Sequence, residues 1–408
     1  MRLSSDIFLR CSQCGKLNHI SRHELDVTAY DAGEFEMGPR TLYEVSEECN
    51  CIFCQNNIYI KITGSEYPQG AFDGSDAEVT GATFLVEPSF EIDSEPDIPQ
   101  ADEKTLLDTV VDRCHECYQN AQRNHPCSLL ECTHNCEHIL QGDECNCINC
   151  LEEIHYHKQY GRKTYDCPNL VLCYGCRYLN RFTSEIRYAL DVVPVIETFD
   201  EYRILSIGCG PAPDLMAFEK YIHEKNLNKR ILYKGFDLNE NWWSIHNMIS
   251  QNCISPWPIK PKFHYVDAIA LFSNQQIPDA NVLVLQYVIS HFHNTKQFDQ
   301  LHTFFEHITD NIILKMKKPS VIIIHDVNHF QLGRDHFEDL IEILRTKGVH
   351  GVCQKRYFDN AITHQEQRFG YAYPSISLHY PPKQEIRDIY CRSNNDCSGA
   401  SLIIELRE

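Results

Sequence analysis

The chain has no apolar run approaching the length of a membrane-spanning helix, and Met1–Arg10 lacks the apolar core of a secretory signal. These absences exclude a helical membrane protein and predict an intracellular, cytoplasmic location. Basic residues are scarce: 37 Lys and Arg stand against 57 Asp and Glu over 408 residues, a formal net charge of −20. That balance argues against non-specific nucleic-acid binding through bulk charge, though not against a local basic site. The deficit is uneven. Residues 61–108 hold 12 acids against Lys61 and Lys104, and the stretch 91–108 reads as an acidic linker.

Cysteine, by contrast, is plentiful: of 21 cysteines, 16 precede Ile186. In a chain without a secretory signal, clustered thiols point to metal ligands rather than disulfides. Cys11-x2-Cys14 and Cys51-x2-Cys54 have the form of two knuckles that deliver four thiolates to one Zn2+. Cys49 offers an alternative pairing with Cys51. A β-rich, zinc-ribbon-like module is therefore expected over 1–90, with strands near Asn57–Thr63 and Thr83–Val86. A second, mixed cysteine- and histidine-rich module with a connecting helix is expected over 109–195. Its candidate ligands are Cys114, Cys117, Cys132, Cys136, Cys145, Cys147, Cys150, Cys167, Cys173 and Cys176. Spacing does not fix their pairing. Two or more metal sites are expected, zinc before an iron–sulfur cluster, with scaffolding as the plain role. Arg10-Cys-x2-Cys recurs as Arg113-Cys-x2-Cys, and Glu48-Cys-Asn-Cys-Ile-x-Cys as Glu144-Cys-Asn-Cys-Ile-x-Cys. Duplication of a metal module and chance in a cysteine-rich chain both account for this echo.

One local basic stretch stands out. His155–Tyr188 interleaves Arg177, Arg181 and Arg187 with Tyr165, Tyr174, Tyr178, Phe182 and Tyr188, a mixture suited to phosphates and unstacked bases. Leu170–Leu190 reads as one helix burying Leu172, Leu179, Phe182, Ile186 and Ala189. The plainer reading is a packing helix that docks the cysteine-rich half onto the rest.

From Arg203 the pattern changes. Ile204, Leu205 and Ile207 form a short buried strand that runs into Gly208-Cys209-Gly210 and then a helix, Pro213–Glu224. Glycine lets backbone approach a ligand closely. Further strands are predicted at Ile231–Asn239, Phe263–Ala268, Asn281–Tyr287 and Lys318–Asp326, with helices at Glu240–Asn252, Thr295–Lys317 and His336–Lys347 between or after them. Alternation of this kind predicts an α/β, Rossmann-like doubly wound sheet over 196–408. Ser375–His379 and Ser401–Leu406 are expected to close it as an antiparallel pair.

The ordered set of a glycine turn, an acid after each of the next two strands, then LVLQYVISHF and VIIIHDVNHF, resembles the class I S-adenosylmethionine-dependent methyltransferases. The resemblance covers residues 197–408. It implies that Gly208, Cys209 and Gly210 lie beside the methionine part of the cofactor, Asp237 at the ribose, Asp267 and Ala268 at the adenine edge, and Gln286 at the start of the catalytic loop. Ligands of open α/β sheets sit at the strand ends, so the candidate catalytic groups are His291 and His293 after strand four, and His325 and Asp326 after strand five. Several familiar signatures are missing. The Asn/Asp-Pro-Pro-aromatic motif of amino-group DNA methyltransferases is replaced by Gln286-Tyr287-Val288-Ile289. The one Pro-Cys, Pro126-Cys127, lies upstream in the cysteine cluster, and the C-x3-C-x2-C signature of radical enzymes is absent. The expectation is a methyltransferase acting on a macromolecule, RNA or another nucleic acid ahead of protein, with zinc modules for scaffolding and recognition. The alternative is a catalytically degenerate module within a larger protein assembly.

Overall fold

The structure, a computed structural model, describes residues 1–92, 105–124, 147–155, 164–253, 259–274, 279–294, 297–329, 333–359, 368–391 and 396–407. The expected linker 91–108 therefore lies mostly outside the described residues, as do Cys132, Cys136 and Cys145.

The N-terminal part is all β. Strands β1 (Arg2–Leu3), β2 (Ile7–Cys11), β3 (Leu17–Ile20), β4 (Thr28–Phe35), β5 (Gly38–Asn50), β6 (Asn57–Glu66), β7 (Phe72–Thr80), β8 (Ala82–Phe84) and β9 (Phe90–Glu91) form sheets ordered β3-β2-β8, β4-β5-β6-β7 and β1-β9. Period-2 burial of Ile58, Ile60 and Ile62 along β6 sets the inner face of the four-stranded sheet, with Val45 beside them.

Among the described residues three helices follow: α1 (Leu106–Asn124), α2 (Cys147–His155) and α3 (Pro168–Asp191). The large sheet is then built from β10 (Glu201–Ile207), α4 (Pro213–Glu224), β11 (Arg230–Phe236), α5 (Trp243–Asn252), β12 (Ile259–His264), α6 (Ala268–Asn274), β13 (Val282–Gln286), α7 (Ile289–Asn294), α8 (Phe298–Asn311), β14 (Ser320–Asp326), α9 (Phe337–Thr346), β15 (Gly351–Tyr357), β16 (Tyr371–Ala372), α10 (Gln384–Tyr390) and β17 (Ala400–Leu406). Its order is β12-β11-β10-β13-β14-β17-β15-β16. The first five strands are parallel, and β17 runs antiparallel between β14 and β15. This is a mixed α/β protein with a large mixed sheet.

Both faces of the sheet are covered, which is why its central strands read as unbroken apolar runs. Val282, Val284, Val321 and Ile323 belong to a core shared with α1, α3, α4 and α5. Leu283, Leu285, Ile322 and Ile324 face the other way, into a core with α6, α8 and α9. Helix α3 is buried over most of its length, and all five residues expected on its apolar face are buried.

One expected strand is corrected. Ala400–Leu406 pairs antiparallel with Ser320–Asp326 and with Gly351–Tyr357, and Ser375–His379 forms no strand. Pro374, Pro381 and Pro382 flank that segment and remove backbone donors from a ladder. Gly351–Tyr357 lacks an apolar alternation because much of it is exposed.

The β-rich part is joined to the large sheet by a buried polar clamp. The Phe263 N–H of β12 donates to His19 Nδ1 at 2.8 Å, so His19 Nε2–H donates to Asp6 Oδ2 at 2.8 Å. Asp6 also accepts from the Ser250 hydroxyl at 2.7 Å and from the Arg22 N–H at 3.0 Å. Burial opposes the Asp6 charge, but these bonds win and hold its carboxyl below the ordinary range.

Candidate functional site

In the parallel part of the sheet the chain moves outward from β10 through β11 to β12, then returns to β13 on the other side of β10. The C-terminal ends of β10 and β13 thus flank a topological switch point, where open α/β sheets place their ligands. A cleft of about 2020 Å³ opens there. That exceeds the several hundred Å³ typical of a single small-molecule pocket, and leaves room for two ligands side by side.

Six of the seven residues assigned to cofactor binding by sequence reasoning line this cleft: Gly208, Gly210, Asp237, Asp267, Ala268 and Gln286. Cys209 does not. It is buried beneath the turn, its N–H donates to the Phe236 carbonyl, and burial pushes its thiol up. Gly208 and Gly210 have φ of +64° and +50°, and a Cβ at Gly208 would stand 2.8 Å from Val288 Cγ2. Glycine at 208 is thus required twice, by conformation and by space. The Gly210 N–H donates to Asp237 Oδ2 at 2.9 Å and the Asn239 N–H to Oδ1 at 2.8 Å. Burial nevertheless raises the Asp237 carboxyl above its ordinary value. His246 holds the turn from the other side. It bonds the Gly210 carbonyl through Nε2 at 2.7 Å and the Tyr265 hydroxyl through Nδ1, and burial lowers it to about 3, so it stays neutral. Asp267 spends Oδ1 capping α6, accepting from the N–H groups of Ile269 and Ala270.

Behind the turn lies a niche of about 30 Å³ shared by Asp214 and Gln286. Asp214 is 1% exposed; its Oδ1 accepts from the Tyr233 hydroxyl, and Oδ2 has no partner. Gln286 donates to the Phe182 carbonyl through Nε2, leaving Oε1 without one. Burial raises Asp214 to about 6. Two orphaned acceptors in one niche suit a cationic group such as an ammonium.

An aromatic wall adjoins the turn, with Tyr174 and Phe182 lining the same niche. Tyr165, Tyr174, Tyr178, Phe182 and Trp242 form a chain of ring contacts, with Tyr178 and Phe182 stacked at 5.3 Å. Arg177 lies 5.4 Å from the Tyr178 ring centre, and Arg181 lies 4.9 Å from that of Phe182. Both arginines line the cleft. Helix α3 therefore packs with one side, as its sequence suggested, and lines the cleft with the other.

The catalytic candidates separate. His291 lines the cleft with its side chain exposed there, and partial desolvation lowers its pKa. His293 falls in α7, its side chain outside the described residues. His325 and Asp326 do not reach the cleft: both are 0% exposed. His325 bonds the Ser401 hydroxyl at 2.8 Å and the Ser398 carbonyl at 3.0 Å, while Asp326 accepts from the N–H groups of Ile289 and Ser290 and so holds the start of α7. Sequence reasoning missed Tyr287. Its φ is +57°, an uncommon conformation for a bulky residue. Its hydroxyl donates to Glu185 Oε2 at 2.9 Å, and Glu185 is itself 0% exposed on α3. No local sequence signal marks Glu185, Trp242 or His246, which reach the site only through tertiary folding.

A candidate metal centre lies apart from the cleft. The ligand atoms of Cys11, Cys14, Cys51 and Cys54 all lie within 4.8 Å of one another, with Sγ–Sγ distances of 3.7 Å for Cys11–Cys54 and 3.6 Å for Cys14–Cys51. Four thiolates about 2.3 Å from a tetrahedral Zn2+ would stand about 3.8 Å apart. Each knuckle closes alike: the N–H of Gly15 donates to the Cys11 carbonyl and that of Gln55 to the Cys51 carbonyl, with φ of 71° and 60°. Cys11 falls to about 6; burial opposes the shift, and the amides of Cys14 and Gln13 drive it. Cys49 stays outside the set. Among the described residues no second group of three or more ligands converges. Cys114 and Cys117 lie on α1, Cys147 and Cys150 on α2, and Cys173 and Cys176 on α3, which Cys167 precedes at its N-cap.

No family model matches the chain, and no curated protein matches it. Solved structures similar to it include a candidate class I S-adenosylmethionine-dependent methyltransferase of Listeria monocytogenes, 11% identical over 74% of this chain and 88% of that one, TM-score 0.39. The plantazolicin methyltransferase BpumL, solved with SAH, is 14% identical over 73% and 99%, TM-score 0.32. The human methyltransferase 10 domain containing protein is 10% identical over 56% and 83%, TM-score 0.33.

Proposed function

We propose that this chain is an S-adenosylmethionine-dependent methyltransferase whose cofactor and acceptor share the switch-point cleft. The carrying observation is that the glycine turn, Asp237, Asp267, Ala268 and Gln286 converge on one wall of that cleft. The chemistry of the wall fits the cofactor part by part. Asp214 and Gln286 offer orphaned acceptors to an ammonium, Asp237 offers two carboxylate oxygens to ribose hydroxyls, and Phe236, Val266 and Ile269 give an apolar slot for a base. Bound there, S-adenosylmethionine supplies an electrophilic methyl group.

The acceptor would lie against the aromatic wall. The rings suit a stacked base, and Arg177 and Arg181 border them, each paired with an acid (Glu152 and Glu185, both at 3.6 Å), which favours single-stranded nucleic acid, RNA included, over protein. His291, which lines the cleft, is the group best placed to take a proton from the acceptor. The four-cysteine set is assigned to zinc, with a scaffolding role. The second reading is a cofactor-binding module without catalysis. It is favoured by the structural engagement of His325 and Asp326, two of the four groups expected to do chemistry.

The test is transfer of a labelled methyl group to total RNA and to total protein. Incorporation into RNA is expected, with His291→Ala lowering kcat by about 10²–10⁴. Label on protein alone would overturn the acceptor class. Binding of S-adenosylhomocysteine with no transfer to either would select the second reading.

A further inference from the structure

The register of the sheet β4-β5-β6-β7 gives it two chemically different faces. Val45, Ile58, Ile60 and Ile62 are 0–1% exposed on the inner face. The alternate residues make up the outer face, because cross-strand partners share a face: Tyr30 opposes Leu42, Glu48 opposes Tyr59, and Lys61 opposes Glu78. Nothing among the described residues packs over this face. Tyr30 and Leu42 are 49% and 40% exposed at one end of this face and Tyr59 is 41% exposed at the other, with the Glu44–Lys61 pair between them. At the edge, every residue of β4 except Ala32 is exposed.

The surface carries one sign of charge. From Thr28 to Thr80 the chain has ten carboxylates against Arg40 and Lys61. Both cations are already engaged, Arg40 with Asp73 at 2.7 Å and Lys61 with Glu44 at 3.2 Å. Glu48, Asp76 and Glu78 remain on the outer face, each exposed. An anionic polymer would be repelled here, whereas a cationic one with apolar side chains would gain from both features.

We infer that this outer face is a docking surface for an extended, lysine- or arginine-rich segment of a partner protein. Such a segment places its cations over Glu48, Asp76 and Glu78 and its apolar side chains against Tyr30, Leu42 and Tyr59. The surface is separate from the cleft, so this inference stands whether or not methyl transfer is the activity.

The experiment uses the zinc-loaded full chain and a fluorescein-labelled decapeptide of alternating lysine and valine, read by anisotropy and by hydrogen exchange. Binding is expected to weaken at least tenfold in the double variant Glu48→Lys, Glu78→Lys, and to protect amides of Leu42–Glu48. Zinc content and S-adenosylhomocysteine affinity should stay unchanged, which separates lost docking from lost folding. Tyr30→Ser, which leaves the charge intact, should weaken binding by a smaller factor. Equal affinity in the charge-reversed variant, protection confined to the cleft, or tighter binding of polyuridylate than of the peptide at this face would each overturn the inference.

Discussion

Asp214 shows how one side chain links stability to function. Burial raises its carboxyl from the usual 3.8 to about 6, so the folded state holds a proton more tightly than the unfolded chain between those values. Stability therefore falls as pH rises through that window, and the cost is fully present above about 6. Asp214→Asn removes the charge while keeping an acceptor for the Tyr233 hydroxyl. It is expected to gain roughly 2–3 kcal/mol at pH 7, measured by urea unfolding, and the gain should vanish near pH 4. The same variant should bind S-adenosylmethionine more weakly, because an ammonium partner is lost. A variant neither more stable nor weaker in binding would remove Asp214 from this role. At this scale the sequence was readable where a residue works through its own backbone. Gly208 and Gly210 sit in a turn that local pattern announces. His325 and Asp326 were misread because position after a strand does not tell whether a side chain turns toward the cleft or into the core.

The elements show where periodicity suffices and where it does not. Central strands such as β13 and β14 are apolar throughout because both faces are covered, and they were legible from that fact alone. The Pro213–Glu224 helix was placed to the residue because a proline opens it and its apolar side repeats. β15 was missed because a half-exposed strand near a sheet edge carries little alternation. β3 links two functions: Asn18 donates to Cys51 Sγ at 3.5 Å, and its neighbour His19 holds β12. Loss of the metal should therefore be felt in the clamp as well as in the knuckles. Cys54→Ser is expected to lower bound zinc and to speed hydrogen exchange at the Phe263 amide. Exchange there at the parent rate, despite zinc loss, would show the two to be independent. His19→Ala, which leaves Asp6 buried with one partner fewer, should cost about 2–4 kcal/mol in chemical unfolding; a change below about 0.5 kcal/mol would show the clamp to be passive.

At the scale of the whole molecule, the chain joins an acidic β module to a mixed α/β sheet, with a long buried helix between them that also lines the cleft. Alternation of strands and helices implied the five parallel strands, but not the insertion of β17 between β14 and β15. The joining of cysteine-rich and α/β halves through α3 was only partly legible. Its apolar face was visible, but the meeting of Glu185 with Tyr287, or of Tyr165 with Trp242, depends on contacts between residues far apart in sequence. The account stands on the switch-point cleft being a nucleoside-cofactor site. Calorimetric titration of the folded, zinc-loaded chain with S-adenosylhomocysteine tests this most directly. We predict micromolar binding, roughly −8 kcal/mol, reduced at least a hundredfold in Asp237→Ala with the fold intact by circular dichroism. No heat of binding to the parent protein, or an Asp237→Ala variant that binds equally well, would contradict the account.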